Sequence, residues 1–198
     1  MQARIDHLIK SLAKPADDSS DFDLNPDIAR PLTATLRPAA VLVPIWVRPN
    51  GLYLILTKRA SHLKHHPGQI AFPGGKVDAS DADACAAALR EAHEEIGLAP
   101  GLVRVIGAMP PHETVTGFKV LPVLGLIRDD FQPVAQADEV EEIFAVPLEH
   151  ILQIVNYGVE SRMWMGHERR YYTVPYGPYY IWGATACILR GLAERVQP

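Results

Sequence analysis

Cysteine is scarce in this chain, which has only Cys85 and Cys187. They form no C-x-x-C pair and have no histidines at zinc-site spacing, so we expect two small buried side chains in a reducing cytosol. Positive charge is not in excess either, because the net charge is -4. This argues against nucleic acid as a partner. An anionic substrate would then need metal ions or a few well-placed cations to compensate its charge.

Long hydrophobic runs are also missing. The longest apolar stretch, residues 39–47, is far too short to span a membrane and contains Pro44. The first six residues carry no apolar run of the secretory type. We therefore expect a cytoplasmic protein with no membrane partner. The length of 198 residues and an apolar content of 48% suit one globular domain.

The N-terminal part has its own pattern. Apolar residues recur at helical spacing over residues 3–13, and the polar residues 15–20 are typical of a surface linker. We divide the chain into an N-terminal helix and linker, residues 1–38, and a single domain, residues 39–198. Two strands, 39–47 and 52–57, are predicted to meet at an Asn-Gly turn. Pro44 predicts that its strand lies at a sheet edge or carries a bulge.

The central part begins with a Gly-Gly loop at Gly74 and Gly75 and continues as a predicted helix over residues 81–96. Ser80 is the expected N-cap of this helix, and Gly97 is its expected end. Further elements are predicted after it; they are strands at 102–108, 118–127 and 142–146, and helices at 147–154 and 182–195. Strands and helices alternate without a regular βαβ repeat, which favours the α+β class.

The predicted helix carries a cluster of carboxylates. Glu91, Glu94 and Glu95 have i, i+3, i+4 spacing and are expected on the side away from the core. Such a face is usually only solvated, and an Arg90–Glu94 pair would relieve part of its charge. Clustered carboxylates are also the ligands that Mg²⁺ and Mn²⁺ prefer. The Gly-Gly loop just before the helix lets backbone amides approach phosphate, which favours a combined metal and phosphate site.

Residues 75–98, GKVDASDADACAAALREAHEEIGL, resemble the motif of the Nudix hydrolase family. The half from Arg90 to Leu98 matches Arg-Glu-apolar-any-Glu-Glu-any-Gly-apolar at every specified position. The first half departs from the general motif, because Asp78 and Asp81 stand where a single glutamate is usual and the segment is one residue longer.

The departure is similar to the coenzyme A pyrophosphatase branch of the family, which tends to carry Asp-x-x-Asp here. That branch also has an upstream signature, which this chain matches from Ile55 to Gly75 with Arg59, Lys64 and Gly68 at the same spacing. Lys64 replaces an arginine, which keeps the charge but loses bidentate geometry. The similarity covers residues 39–190.

The resemblance implies a Nudix-like α/β/α sandwich with a mixed central sheet. It also implies hydrolysis of the diphosphate of coenzyme A, or of its derivatives, to adenosine 3',5'-bisphosphate and 4'-phosphopantetheine with Mg²⁺ or Mn²⁺. The metal ligands implied are Glu91, Glu95 and Glu94. Three residues are implied in catalysis: Glu94 in addition to its role as a ligand, Arg90, which would orient a glutamate, and Glu139, which could be the general base.

For substrate binding, the resemblance implies Arg59, Lys64 and the loop residues Gly74 and Gly75. For Arg59 we favour the binding role over that of a solvated surface cation. For Lys64 the two roles stay open, and for Glu139 a solvated acidic turn is the alternative. The tyrosine-rich stretch 171–180 with Trp182 could stack on adenine, although such clusters more often serve packing. The histidines around Lys64 have no standard metal spacing and indicate a polar loop.

Three functions therefore stay open. The leading one is a coenzyme A pyrophosphatase acting as a monomer or homodimer on a small nucleotide substrate. The second is the same chemistry on ADP-ribose or a dinucleotide. The third is a binding or regulatory module with this fold and no hydrolysis, which the intact set of Glu91, Glu94 and Glu95 disfavours.

Overall fold

The computed structural model describes residues 1–28, 35–128, 131–164 and 166–197, so the 29–34 part of the predicted linker lies outside the described residues. Four α-helices occur in these ranges: α1 Gln2–Leu12, α2 Ala84–Ile96, α3 Leu148–Leu152 and α4 Ala184–Val196. Short 3₁₀ turns lie at Pro100–Leu102 and Ile154–Asn156. None of the described helices is both long enough and apolar enough to cross a membrane.

The described strands number eleven. They are β1 Ser19–Ser20, β2 Arg37–Arg48, β3 Gly51–Arg59, β4 Ile70–Ala71, β5 Gly74–Lys76, β6 Val103–Ala108, β7 His112–Glu113, β8 Phe118–Ile127, β9 Val140–Pro147, β10 Gly158–Trp164 and β11 His167–Thr173. The predicted turn is confirmed, because Arg48 and Gly51 close the antiparallel β2–β3 pair. The β10–β11 hairpin was not predicted.

The first nine strands form one mixed sheet. Its main path runs β1-β7-β8-β2-β3-β4, with β5 on β2, β6 on β8 and β9 on β3. The β2–β8 pair is parallel and the β2–β3 pair is antiparallel. A mixed sheet of this kind is what an α+β chain without a βαβ repeat forms.

Strand β2 shows how the sheet separates two cores. Its side chains alternate between faces, so Val43 and Ile45 enter the core covered by α1, α3 and α4. Ala40 and Leu42 enter the opposite core, which is covered by α2. Helices therefore lie on both faces of a mixed sheet, and the predicted α+β class with three layers is confirmed.

The N-terminal segment is packed into this architecture. Ile5 and Leu8 of α1 are buried in the same core as α4. Ser19–Ser20 pairs in parallel with His112–Glu113, so a surface linker is the wrong description for these two residues. The division at residue 38 stays a prediction.

Pro44 lies inside the sheet, so the predicted edge position is wrong, and the β2–β8 pairing passes Pro44 without the alternative bulge. On one side, strand β8 pairs with residues 37–46 of β2. On the other side, the pairing of β2 with β5 ends at Val41 of β2, and the pairing with β3 begins at Ile45 of β2. The amide of Leu42 donates to Pro73 O on that second side. By alternation, the nitrogen of Pro44 faces the gap between β5 and β3, where no ladder hydrogen bond is needed.

Helix α2 begins later than predicted. Its N-cap is Asp83 and not Ser80, because Asp83 Oδ1 accepts from the amide of Ala86 at 2.8 Å. Its end is as predicted, with Gly97 at a φ of 72° in the left-handed region that glycine tolerates.

Candidate functional site

Gly74 and Gly75 were predicted to form a loop, but in the structure they begin strand β5, which pairs with β2. This glycine segment, still called the glycine loop below, lies between strand β2 and helix α2. At Gly74, with a φ of 156°, a Cβ would lie 2.5 Å from Ala40 O. At Gly75 a Cβ would lie 2.5 Å from Glu91 Oε1. Side chains at these two positions would collide with the β2 backbone and the α2 carboxylates respectively. Glycine therefore brings the loop backbone against both elements.

Glu95 is buried, which corrects the expectation that all three glutamates point away from the core. Only 5% of the residue is exposed, and its Oε2 accepts the amide of Gly74 at 3.3 Å. Burial first, and then the negative charges of Glu139 and Glu91, raise the pKa of Glu95 to about 8. Helical spacing alone did not reveal this burial, because the loop that covers Glu95 comes from β5.

Arg90 holds the rest of the acidic cluster. Its guanidinium donates to both carboxylate oxygens of Asp81, at 3.0 and 2.9 Å, and Nη2 also donates to Lys76 O. Nη1 donates to Glu91 Oε1 at 3.0 Å and to Glu94 Oε2 at 3.1 Å. The hydrogen bond with Asp81 is the largest contribution that raises the pKa of Arg90. Arg90 therefore contacts two of the three predicted metal ligands, Glu91 and Glu94. Of these two, Glu94 is exposed.

Glu139 is brought to the same cluster by the segment that directly precedes β9. The amide of Gln136 donates to Glu95 O at 3.0 Å, and the amide of Glu139 donates to Gln136 O at 3.0 Å. Glu139 O in turn accepts from the amide of Ala60. The Glu139 charge helps to raise the pKa of both Glu91 and Glu95. Tertiary contacts therefore bring this distant residue near the helix carboxylates.

The carboxylate cluster has the chemistry of a divalent cation site. Its donors are oxygens, which hard cations prefer, and Glu95 is a buried acid whose charged form lacks sufficient compensation. In this structure the exposed side of the cluster is engaged by Arg90. In the described ranges, no group of three or more Asp, Glu, His or Cys side chains is already arranged to coordinate a metal ion. The donor set therefore fits a divalent ion.

A cleft of about 280 Å³ opens beside this cluster. Gly74 lines one part of it, and Arg59 lines its wall. Arg59 Nε is buried with no hydrogen-bond partner among the described residues, and its charge lowers the pKa of Glu95. Lys64, in contrast, is exposed and does not line the cleft. The structure therefore brings Arg59, but not Lys64, to the glycine loop.

The aromatic stretch divides between core and cleft. Tyr172, Tyr176 and Tyr179 pack against the core of α1, α3 and α4. Tyr171 and Trp182 line the cleft, with ring centroids 5.1 Å apart. Only this second pair is placed to meet a ligand in the cleft.

A larger cleft, of about 610 Å³, lies between α1, α3 and the β2–β3 turn. Its lining includes Arg4, His7 and Glu149 but none of the predicted site residues. The smaller cleft is the better candidate because it adjoins the acidic cluster and the glycine loop.

Several residues of the site were not singled out from the sequence. Asp81 was noted only as part of an irregular motif, yet it is the bidentate partner of Arg90. The cleft is also lined by Asp21 from the N-terminal segment, by Arg162 from β10 and by Arg169 from β11. Their proximity depends on strand register, which no local pattern indicated.

Sequence comparison places this geometry in a family. The NUDIX domain profile matches residues 36–167. A protein named Uncharacterized Nudix hydrolase NudL from Enterobacter sp. (strain 638) is 48% identical over 160 residues, which cover 81% of this chain and 83% of that protein. A protein of the same name from Salmonella paratyphi B (strain ATCC BAA-1250 / SPB7) is 46% identical over 164 residues, covering 83% and 85%.

Solved structures support the fold. A MutT/nudix family protein from Enterococcus faecalis superposes with a TM-score of 0.53 at 16% identity, covering 99% of this chain and 74% of that one. The NUDIX domain of Shewanella oneidensis NrtR, complexed with ADP ribose, gives a TM-score of 0.52 at 17% identity, covering 84% and 91%. At these identities the likeness concerns the fold alone. The family profile and the sequence relatives establish that the chain belongs to the Nudix family and is a Nudix hydrolase.

Proposed function

We propose that this hydrolase cleaves the diphosphate of coenzyme A or its derivatives into adenosine 3',5'-bisphosphate and 4'-phosphopantetheine. The observation that carries the site is the meeting of Glu91, Glu95 and Glu139 beside the glycine loop, at one end of a cleft. The choice of coenzyme A is supported by the signature from Ile55 to Gly75. Cytoplasmic location and a monomeric or homodimeric state are part of the same proposal.

Nudix hydrolases generally use divalent metal ions, and we assign Mg²⁺ or Mn²⁺ to this chain. Glu91 and Glu95 would be the main ligands, with Glu94 as the third. The bound ion would neutralise the diphosphate and lower the pKa of a coordinated water. Glu95 would hold the ion as a charged carboxylate, and the positive charge of the ion would offset the burial of that carboxylate.

The surrounding residues would position this chemistry. Arg90 restricts where the Glu91 carboxylate can lie, through the contact at 3.0 Å. Gly74 and Gly75 let the loop backbone lie directly against the Glu91 and Glu95 carboxylates, so that backbone amides could meet a diphosphate held there. Glu139 is the candidate general base, because it is exposed and therefore accessible to water.

Two cations would contact the anionic substrate. Arg59 is placed for this by its position in the cleft wall and its unpaired Nε. Lys64 could reach a bound substrate only from its exposed loop. We therefore expect Arg59→Ala to lower kcat/KM more than Lys64→Ala does.

A substrate panel tests the proposal. Coenzyme A, acetyl-coenzyme A, ADP-ribose and a diadenosine polyphosphate are incubated with the protein and Mg²⁺ or Mn²⁺, and the products are identified by mass. The expected result is the two named products and a kcat/KM for coenzyme A that is well above the others. An equal or higher value for ADP-ribose, the ligand bound in the NrtR domain, would replace coenzyme A with that alternative.

A further inference from the structure

Two arginines face each other on the β10–β11 hairpin. Arg162 and Arg169 are direct cross-strand partners, and both line the cleft beside the glycine loop. Like charges at directly opposed positions of an antiparallel pair destabilise it. A negative charge beside such a pair relieves this repulsion.

Arg169 has such a charge within the chain. Its Nη2 lies 3.2 Å from Asp21 Oδ2, and the same oxygen accepts from the amide of Val115 at 2.9 Å. Burial would raise the pKa of Asp21, but the hydrogen bond with His112 and the other partners bring it below its usual value. Asp21 is therefore a fixed anion that holds Arg169 in place.

The partners of Arg162 within the described part of the chain are aromatic. Its guanidinium lies 4.3 Å from the centroid of Trp182 and 5.9 Å from that of Tyr171. No carboxylate of the described residues lies within ion-pair distance of it. Stacking on a ring uses the face of the guanidinium and leaves its N–H edges available in the plane. Those donors are therefore available to a ligand anion.

The N-terminal segment fixes the hairpin at the cleft. The side chain of Asn25 donates to Arg170 O at 2.9 Å and accepts from Arg170 N at 2.8 Å. Asn25 is buried, so these two hydrogen bonds are shielded from water. The β10–β11 pair that carries Arg162 and Arg169 is consequently anchored to the N-terminal segment.

The charge balance of the cleft agrees with an anionic ligand. Its lining contains three arginines, Arg59, Arg162 and Arg169, against one carboxylate, Asp21. The same cleft includes Gly74, whose amide contacts Glu95. A nucleotide with its diphosphate at the glycine loop could extend along the cleft towards the hairpin.

We propose that Arg162, supported by Arg169, binds a phosphate monoester that the substrate carries in addition to its diphosphate. The substrate class is then a nucleoside diphosphate derivative with a further phosphate on the sugar. This inference rests on the proposed use of the same cleft for substrate. Arg162 is a specificity-determining residue, because substrates without the extra phosphate lose this interaction.

The first test is calorimetric binding with Mg²⁺ present. Adenosine 3',5'-bisphosphate and adenosine 5'-monophosphate are titrated into the wild type, Arg162→Ala, Arg162→Lys and the control Arg104→Ala, an exposed arginine of β6 outside the cleft. Wild type and control should bind the bisphosphate about 10- to 100-fold more tightly than the monophosphate. Arg162→Ala should lose most of this ratio with little change for the monophosphate, and Arg162→Lys should keep part of it.

Equal weakening of both nucleotides, or no change in either, would overturn the inference. Melting temperatures of all variants identify any that fail to fold, and Arg162→Lys then serves as the decisive variant.

A kinetic test separates this inference from the proposed function. On coenzyme A, Arg162→Ala should raise KM about tenfold or more with little change in kcat, whereas on 3'-dephospho-coenzyme A it should change neither. If wild type turns over coenzyme A but Arg162→Ala affects both compounds equally, the inference fails and the function stands. If coenzyme A is not a substrate but Arg162→Ala abolishes the preference for the bisphosphate, the function fails and the phosphate site stands.

Discussion

The amide of Gly74 donates to the carboxylate of Glu95 at 3.3 Å, which joins the glycine loop to the last turn of α2. This contact buries the acid and places it near Glu91 and Glu139, whose charges raise its pKa. The relationship explains why loop and helix belong to one site. It also makes Glu95 the residue whose replacement is most informative.

We expect Glu95→Gln to lose activity without losing the fold. The amide keeps the size of the side chain and can still accept from Gly74, but it is a poor ligand for a divalent ion. Loss of metal activation, worth several kcal/mol, should lower kcat by about 10³-fold or more. Initial rates with saturating Mg²⁺ measure this, and circular dichroism checks the fold. A variant that unfolds at room temperature would indicate a structural role instead.

Metal removal should have the same effect on the wild type. Excess chelator should abolish turnover, and added Mg²⁺ or Mn²⁺ should restore it, because these ions prefer carboxylate oxygens. Full turnover in chelator would contradict the assigned metal site. Rates before chelation, after it and after replenishment form the measurement.

The pH dependence of metal-free stability should reveal the raised pKa of Glu95. Between its ordinary value of 4.5 and about 8, the folded state holds a proton that the unfolded state has released. The stabilisation from the protonated acid is therefore full below pH 4.5 and is lost as pH rises through about 8. The melting temperatures of the wild type and of Glu95→Gln are compared in chelator at pH 5 and pH 9. Between these pH values the wild type should lose about 5 °C or more beyond the change seen in Glu95→Gln. A difference between the two proteins that stays constant with pH would contradict this.

The two loop glycines should differ in what their replacement costs. At Gly75 a Cβ meets the flexible Glu91 carboxylate, so Gly75→Ala should lower activity by about tenfold or more and spare stability. At Gly74 a Cβ meets backbone atoms of Ala40 and Val41, so Gly74→Ala should lower the free energy of unfolding by about 2 kcal/mol or more. Gly101, with open space around it, provides the control. Urea denaturation measures stability, and initial rates measure activity. Equal loss of stability in the Gly74→Ala and Gly75→Ala variants would contradict the predicted difference.

Helix α1 should contribute to the stability of the whole domain. Leu8 is buried in the main core, so Leu8→Ala should lower the free energy of unfolding by about 2 to 5 kcal/mol. The exposed Lys10 on the same helix is the matched control, and Lys10→Ala should change it by less than about 0.5 kcal/mol. If Leu8→Ala behaves like Lys10→Ala in urea denaturation, α1 is not part of the cooperative unit.

Local patterns in the sequence determined most of the secondary structure and part of the site. The Asn-Gly turn, Gly97 and the apolar spacing of α2 were predicted because each depends on neighbours within a few residues. Glu91, Glu94 and Arg90 share one helix, so their proximity also followed from helical spacing. The motif around them indicated the family.

Only the tertiary structure decided the rest, because it depends on contacts between distant segments. Pro44 is accommodated at the centre of the sheet by a gap between two partner strands. Glu95 is buried by a loop from β5, which helical periodicity cannot indicate. The opposition of Arg162 and Arg169, and the hold of Asn25 on their hairpin, depend on strand register and on a hydrogen bond spanning 145 residues. The sequence by itself therefore identified the acidic helix, and the fold supplied the cleft beside the glycine loop that covers it.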